Sequence, residues 1–218
     1  MLILSLACFP SPLENLQALY HNSNGSKWSK GHDWRYSNDY CAFQGVKCGL
    51  NNEVIELDLS DFGITFLSPE LSCFNELKSL YLNNNLISIF PSQICSYAQN
   101  LQFLQLSNTN MSRLHDCICD FKFLQFLHID NNQIQQKLPN CKFEFLNEFI
   151  GSCNDFYGPI PQYYKSIKKV FLGCNKEIQE CGNMKNVVCG NSDCEGCGLV
   201  CPAIWENNVC GRFYLVRE

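Results

Sequence analysis

Three segments of the chain are one segment written again. LKSLYLNNNLI begins at Leu77, LQFLQLSNTNM at Leu101 and LQFLHIDNNQI at Leu124. Each has apolar residues at offsets 0, 3, 5 and 10: Leu77, Leu80, Leu82, Ile87; Leu101, Leu104, Leu106, Met111; Leu124, Leu127, Ile129, Ile134. Two of the three carry Asn at offset 8, as Asn85 and Asn132. This periodicity constrains the fold more than any local propensity. One such unit cannot bury its apolar face alone, so successive units must stack.

The register extends both ways. VIELDLSDFGI starts at Val54, with Phe62 where Asn is expected. LNEFIGSCNDF starts at Leu146, with Gly151 in place of the second strand Leu, and IKKVFLGCN starts at Ile167. Six repeats exceed the roughly three that a stable stack needs. Within each, Leu-x-Leu alternates as a short strand with one buried face should. After the strand the backbone must turn inward, leaving amide groups without a sheet partner. A side chain with both donor and acceptor can satisfy them there, which suits Asn.

The core L-x-x-L-x-L-x-x-N-x-L resembles the leucine-rich repeat. That resemblance implies an α/β solenoid: a right-handed coil with a curved parallel β-sheet on its concave face. The segment before it supports the same family. SPLENLQALY has helix signals, with Ser11 placed to cap and Pro12 in the first turn. A turn-rich stretch with Trp28 and Trp34 follows, then CAFQGVKC. This unit resembles the N-terminal cap of plant-type and protist extracellular leucine-rich repeat proteins, a group with receptor-like members and polygalacturonase-inhibitor-like members. Phe43 stands where that cap usually has Trp. The resemblance covers about residues 13–178. It implies a disulfide between Cys41 and Cys48 and a lid over the open end of the stack. The domain division is then 1–11, a short signal or an apolar N-terminus; 12–53, the cap; 54–178, six repeats; and 179–218, a Cys-rich C-terminal cap.

The chain holds 16 cysteines in 218 residues, which points to an oxidising compartment or to metal. Cys73, Cys95, Cys119 and Cys141 mark one place on successive coils, with Pro69, Pro91, Pro139 and Pro161 breaking regular structure nearby. They read either as a row of back-side disulfides or as a column of free buried thiols. The second is expected here, because this inward position normally takes a small apolar residue. Cys153 and Cys174 each precede the ladder Asn of their repeat. Strand spacing of ~4.8 Å brings them within disulfide range, so a bond between them is expected. Six more, Cys181, Cys189, Cys194, Cys197, Cys201 and Cys210, crowd a Gly-rich tail with Trp205. Disulfides, in any of 15 pairings, or zinc on Cys194, Cys197, Cys201 and Cys210 could hold it.

Net charge is −5 and only 17% of residues are charged, against 46% hydrophobic. A nucleic-acid backbone as main partner wants clustered Lys and Arg, and that is absent. No apolar run approaches the ~18 residues of a transmembrane helix. No nucleophile elbow, zinc-protease helix, phosphate loop or dinucleotide fingerprint occurs, so no catalytic residue, metal ligand or cofactor is assigned. Glu56, Asp58 and Asp61 read as a solvated cluster.

Strand side chains alternate, so offsets 2 and 4 face outward from the sheet. They line up Tyr81, Phe103, Gln105, Phe126, His128, Ile150 and Phe171 across five strands. A contiguous aromatic stripe of this kind is what interfaces are built from. The function expected is a secreted or cell-surface protein that grips a protein, a peptide or a glycan on its concave face, and not an enzyme. An intracellular zinc-stabilised scaffold is the alternative, and an inhibitor of a secreted hydrolase a more distant one. Asn24-Gly-Ser26 and Asn110-Met-Ser112 are sequons for N-glycosylation.

Overall fold

Each of the six repeats contributes one three-to-five-residue strand, and the strands pair in chain order. The computed structural model describes residues 8–92, 94–97, 99–175, 178 and 185–188. The strands are β1 (Val46–Cys48), β2 (Val54–Asp58), β3 (Ser79–Tyr81), β4 (Phe103–Gln105), β5 (Phe126–His128), β6 (Glu148–Ile150), β7 (Lys169–Phe171) and β8 (Val187–Val188). They form one sheet in the order β1 to β8. β1 is antiparallel to β2, and every later pair is parallel. Leu57, Leu80, Leu104, Leu127, Phe149, Val170 and Val187 stand opposite one another in register. All are buried, and so are the flanking repeat leucines. Residues far apart in sequence thus stack in columns that bury each coil against the next.

After each strand the backbone passes through a left-handed residue: Asp61, Asn84, Asn108, Asn131, Cys153 and Cys174 have φ between 53° and 60°. Asn and Asp tolerate that conformation better than other side chains. It turns the chain inward while its N–H still bonds the next coil, as from Asn84 to the Ser107 carbonyl.

The buried Asn then closes the turn across two coils. Asn85 Nδ2 donates to the carbonyls of Leu82 and Leu59, both at 2.8 Å, and its Oδ1 accepts from the Ile64 N–H. Asn132, Asn154 and Asn175 repeat the arrangement. Each reaches back to the coil before it. That explains Phe62: its coil has a cap behind it instead of a repeat, and the ring packs edge-on against Trp28 at 5.8 Å. Gly151 has a similar reason, since a Cβ there would lie 2.7 Å from the Phe149 ring.

The cap is an aromatic cluster under a helix, α1 (Pro12–Asn22). Tyr20, Trp28, Trp34 and Phe43 pack in sequence at centroid separations of 5.3, 5.6 and 5.7 Å. Both indoles are satisfied, Trp28 by the Ser23 carbonyl and Trp34 by that of Gln44. Phe43 is buried in the slot where Trp is usual. Gly25 and Gly45 are obligatory: a Cβ would fall 2.2 Å from the Tyr20 ring and 2.2 Å from the Asp58 carbonyl oxygen. Ser11 does not cap α1 with its hydroxyl. Asn15 reaches back instead, donating to Phe9 O and Ser11 O and accepting from Phe9 N–H. Cys8 is bonded to Cys73, so residues 8–11 are part of the cap.

The cysteines correct the sequence reading. Cys73, Cys95, Cys119 and Cys141 are not free thiols. Cys8–Cys73, Cys95–Cys117 and Cys119–Cys141 are disulfides, with Cα separations of 5.4, 5.7 and 5.7 Å. Single cysteines in a column cannot bond both neighbours. Cys117 supplies a second thiol in the 3₁₀ turn Asp116–Asp120, so this coil bonds backward and forward. The coil before it uses a short helix, α2 (Ile94–Tyr97), at the same place. Cys41–Cys48 is bonded as well, with Cα atoms 5.5 Å apart. Cys153 and Cys174 are disulfide-bonded, but a bond between them is not among the four joining described cysteines. Both occupy the same left-handed position of stacked coils.

The sheet also runs further than the repeat pattern. β8 lies within the segment expected to be cap, and Asn186 Nδ2 bonds the carbonyls of Tyr164 and Ile167. Cys181, Cys189, Cys194, Cys197, Cys201, Cys210 and Trp205, with their pairing or zinc readings, lie outside the described residues, as do residues 1–7.

Candidate functional site

The outward residues of β3 to β7 form one surface because the register is unbroken. Ser79, Phe103, Phe126, Glu148 and Lys169 make one column, and Tyr81, Gln105, His128, Ile150 and Phe171 the other. Tyr81 packs on Phe103 at 4.8 Å and Phe103 on Phe126 at 5.5 Å, both pairs tilted near 30°. The His128 ring meets Phe103 edge-on at 5.2 Å. Aromatic pairs in such geometries gain ~0.5–1.5 kcal/mol beyond their area burial. The rings are half-buried because they cover one another, yet each keeps a face toward solvent. Ile150 and Phe171 continue the apolar column and are half-buried too.

Beside the ladder sits an ionic group. His128 Nε2 is 2.9 Å from Glu148 Oε1, and Lys169 Nζ is 3.4 Å from Glu148 Oε2. The His128 and Glu148 side chains are only 14% and 18% exposed, so water screens this pair weakly. The hydrogen bond to His128 is the largest cause holding the Glu148 carboxyl below its ordinary range, with the charges of His128 and Lys169 adding to it.

One step further along the chain, Asp130 is buried and accepts from Ser107 Oγ at 2.5 Å and from Asn131 Nδ2 at 3.1 Å. Burial pushes its carboxyl up, against the opposing pull of those bonds and of His128.

The sequence expectation named His128 without its partners. Glu148 and Lys169 stand in the same column as Phe126, but the contact is diagonal, from offset 4 of one coil to offset 2 of the next. Reading the two columns together would have exposed it. Gln105 lies in register between Tyr81 and His128.

At the capped end the face opens into a cleft of about 490 Å³. Glu56, Asp58 and Asp61 line it with Lys30 and Lys47. Lys47 pairs with Glu56 at 3.8 Å and Lys30 with Asp61 at 3.9 Å, so the cluster is partly neutralised.

Asn24 and Asn110 are exposed, as are Ser26 and Ser112 of their sequons. The zinc-scaffold alternative required Cys41 and Cys48 as thiols; their disulfide removes that requirement's basis. Among the described residues, no group of three His, Cys, Asp or Glu is placed to hold a metal, and no helix is long and apolar enough to cross a membrane.

Comparison with known proteins agrees with the geometry. A family model for the Leucine Rich Repeat matches residues 76–97. Over 176 residues the chain is 27% identical to Receptor-like protein kinase BRI1-like 3 of Arabidopsis thaliana, covering 73% of this chain and 15% of that protein. The chain therefore spans a small part of that relative. Among solved structures, that of a Pollen Receptor Kinase 3 superposes with a TM-score of 0.66 at 24% identity, covering 80% of this chain and 91% of the other. The ectodomain of the Arabidopsis receptor kinase HAESA, in complex with an IDA peptide hormone ligand, gives 0.64 at 23% identity, covering 75% and 29%.

Proposed function

Taking the chain as a leucine-rich repeat protein similar to plant receptor ectodomains, we propose that it is an extracellular or cell-surface recognition module whose concave face binds a protein or peptide. The observation that carries this reading is the aromatic ladder of Tyr81, Phe103 and Phe126 on three consecutive strands. These rings add nothing to the core, which the inward leucines fill without them. Rigid aromatic groups that keep one face exposed are the residues that dominate binding energy at interfaces. HAESA, a protein of the same fold, is a receptor kinase captured with a peptide hormone.

The test changes Phe103 and Phe126 to Ser together. The double variant should retain a cooperative melt, because neither side chain is part of the buried column. It should no longer capture the partner that the wild-type chain retrieves from its extracellular milieu. A partner that still binds the double variant at wild-type affinity removes the concave face from the reading.

A further inference from the structure

A charge-reversed repeat marks the edge at which two of the strands begin. Residues 119–124 read CDFKFL and residues 141–146 read CKFEFL. They hold the same offsets in adjacent coils, just ahead of β5 and β6. Cys119 and Cys141 are bonded to each other, and Phe121, Leu124, Phe143 and Leu146 are buried. Asp120, Lys122 and Phe123 on one coil, and Lys142, Glu144 and Phe145 on the next, face solvent. The Phe123 and Phe145 rings stack at 5.9 Å but remain 45% and 51% exposed. In every other aromatic pair among the described residues, at least one ring is buried or half-buried. Asp120 shares its offset with Lys142, and Lys122 with Glu144. None of these four charges is in an ion pair within the described residues. The bridge Cys119–Cys141 holds the two coils that carry them in fixed register.

We propose that this edge is a self-complementary interface through which two copies of the chain pair. The reversal of charge is what selects a second copy as the occupant. A two-fold axis lying in the contact, parallel to the chain and midway between the two coils, sets each coil against the other coil of the second copy. Phe123 then packs on Phe145 of the second copy, Lys122 meets its Glu144, and Asp120 meets its Lys142. Each contact occurs twice, and every charge finds its opposite. Two stapled aromatic anchors inside a charged rim are the anatomy of a protein interface. The patch is small, so the pairing belongs to the weak class of associations. It uses no residue of the concave ladder, and it stands apart from the reading given for that face.

Sedimentation velocity on the full chain tests the pairing. From about 1 to 100 µM, wild type should pass from monomer to dimer in rapid exchange. Phe123→Ser with Phe145→Ser should remain monomeric over that range. Lys122→Glu alone sets two pairs of acids against each other, and Glu144→Lys alone two pairs of lysines. Each should weaken self-association at least about tenfold. An equal mixture of those two single variants should dimerise as wild type does, because Glu at position 122 of one copy meets Lys at position 144 of the other, and the reverse contact restores Glu144 to Lys122. Thermal melts establish that each variant is folded. Phe103→Ser with Phe126→Ser should dimerise as wild type, which separates this contact from the concave face. A wild-type chain that stays monomeric throughout, single charge variants that dimerise unimpaired, or a mixture that fails to recover overturns the proposal.

Discussion

Asn85→Ala measures what the buried Asn contributes to the stack. Asn85 is 3% exposed and makes three bonds of 2.8 Å to backbone groups: the Leu59 and Leu82 carbonyls and the Ile64 N–H. Alanine leaves all three groups in place and removes their partner. An orphaned buried N–H costs ~1–3 kcal/mol, and each lost bond to a carbonyl about 0.5–1.5 kcal/mol. The sum is about 2–6 kcal/mol, a large share of the ~5–15 kcal/mol that holds a domain folded. Water cannot repair the loss cheaply, because Leu59, Leu82 and Ile64 are all fully buried. The comparison variant is Asn84→Gly, at the neighbouring exposed left-handed position with φ 58°. Glycine accepts that conformation, so this change should cost less than about 1 kcal/mol. Denaturant titration followed by Trp28 and Trp34 fluorescence, and in parallel by far-ultraviolet circular dichroism, reports both variants. Coincident transitions license a single free energy; separated ones show that the stack unfolds in pieces. If Asn85→Ala costs no more than Asn84→Gly, the cross-coil bonds are not what holds the inward turn.

Asp130→Asn should stabilise the fold at pH 7. The carboxyl's folded pKa is raised by burial, so ionising it costs stability at pH values above that pKa, and the cost is relieved as pH falls through it. The amide keeps a partner for Ser107 without the charge, so its advantage should be present at pH 7 and gone near pH 4 in matched denaturation curves. Cys119→Ser with Cys141→Ser opens a bridge spanning 22 residues, which on loop-closure entropy contributes about 3 kcal/mol. A fall in the denaturation midpoint, with Cys95–Cys117 still found intact by non-reducing peptide mapping, is the expected result; an unchanged midpoint would show that the back-side staples add nothing.

The stack itself was legible in the chain because stacking is a demand of each unit taken alone. Leu57, Leu80, Leu104 and Leu127 fall at one offset, strand alternation sends them inward, and no coil can bury them without a neighbour. The same alternation sends Tyr81, Phe103, Phe126 and His128 outward, so the content of the face was legible too. The cap was readable from its two Trp and its paired cysteines.

What the string of residues left open concerns contacts that run across coils. Asn85 was marked by its offset, but its bond to Leu59 in the preceding coil, and hence the reason for Phe62, exists only once the coils are stacked. The back-side cysteines share a column, yet which thiol meets which depends on the side on which each emerges from its turn. Cys95 meets Cys117, leaving Cys119 for Cys141. Cys153 and Cys174 share a column and are both disulfide-bonded, yet a bond between them is not among the four described pairs. His128 meets Glu148 on a diagonal, from one coil to the next. A periodic sequence specifies which residues recur at each level of the coil; the offset and rotation between one coil and the next specify which of them touch.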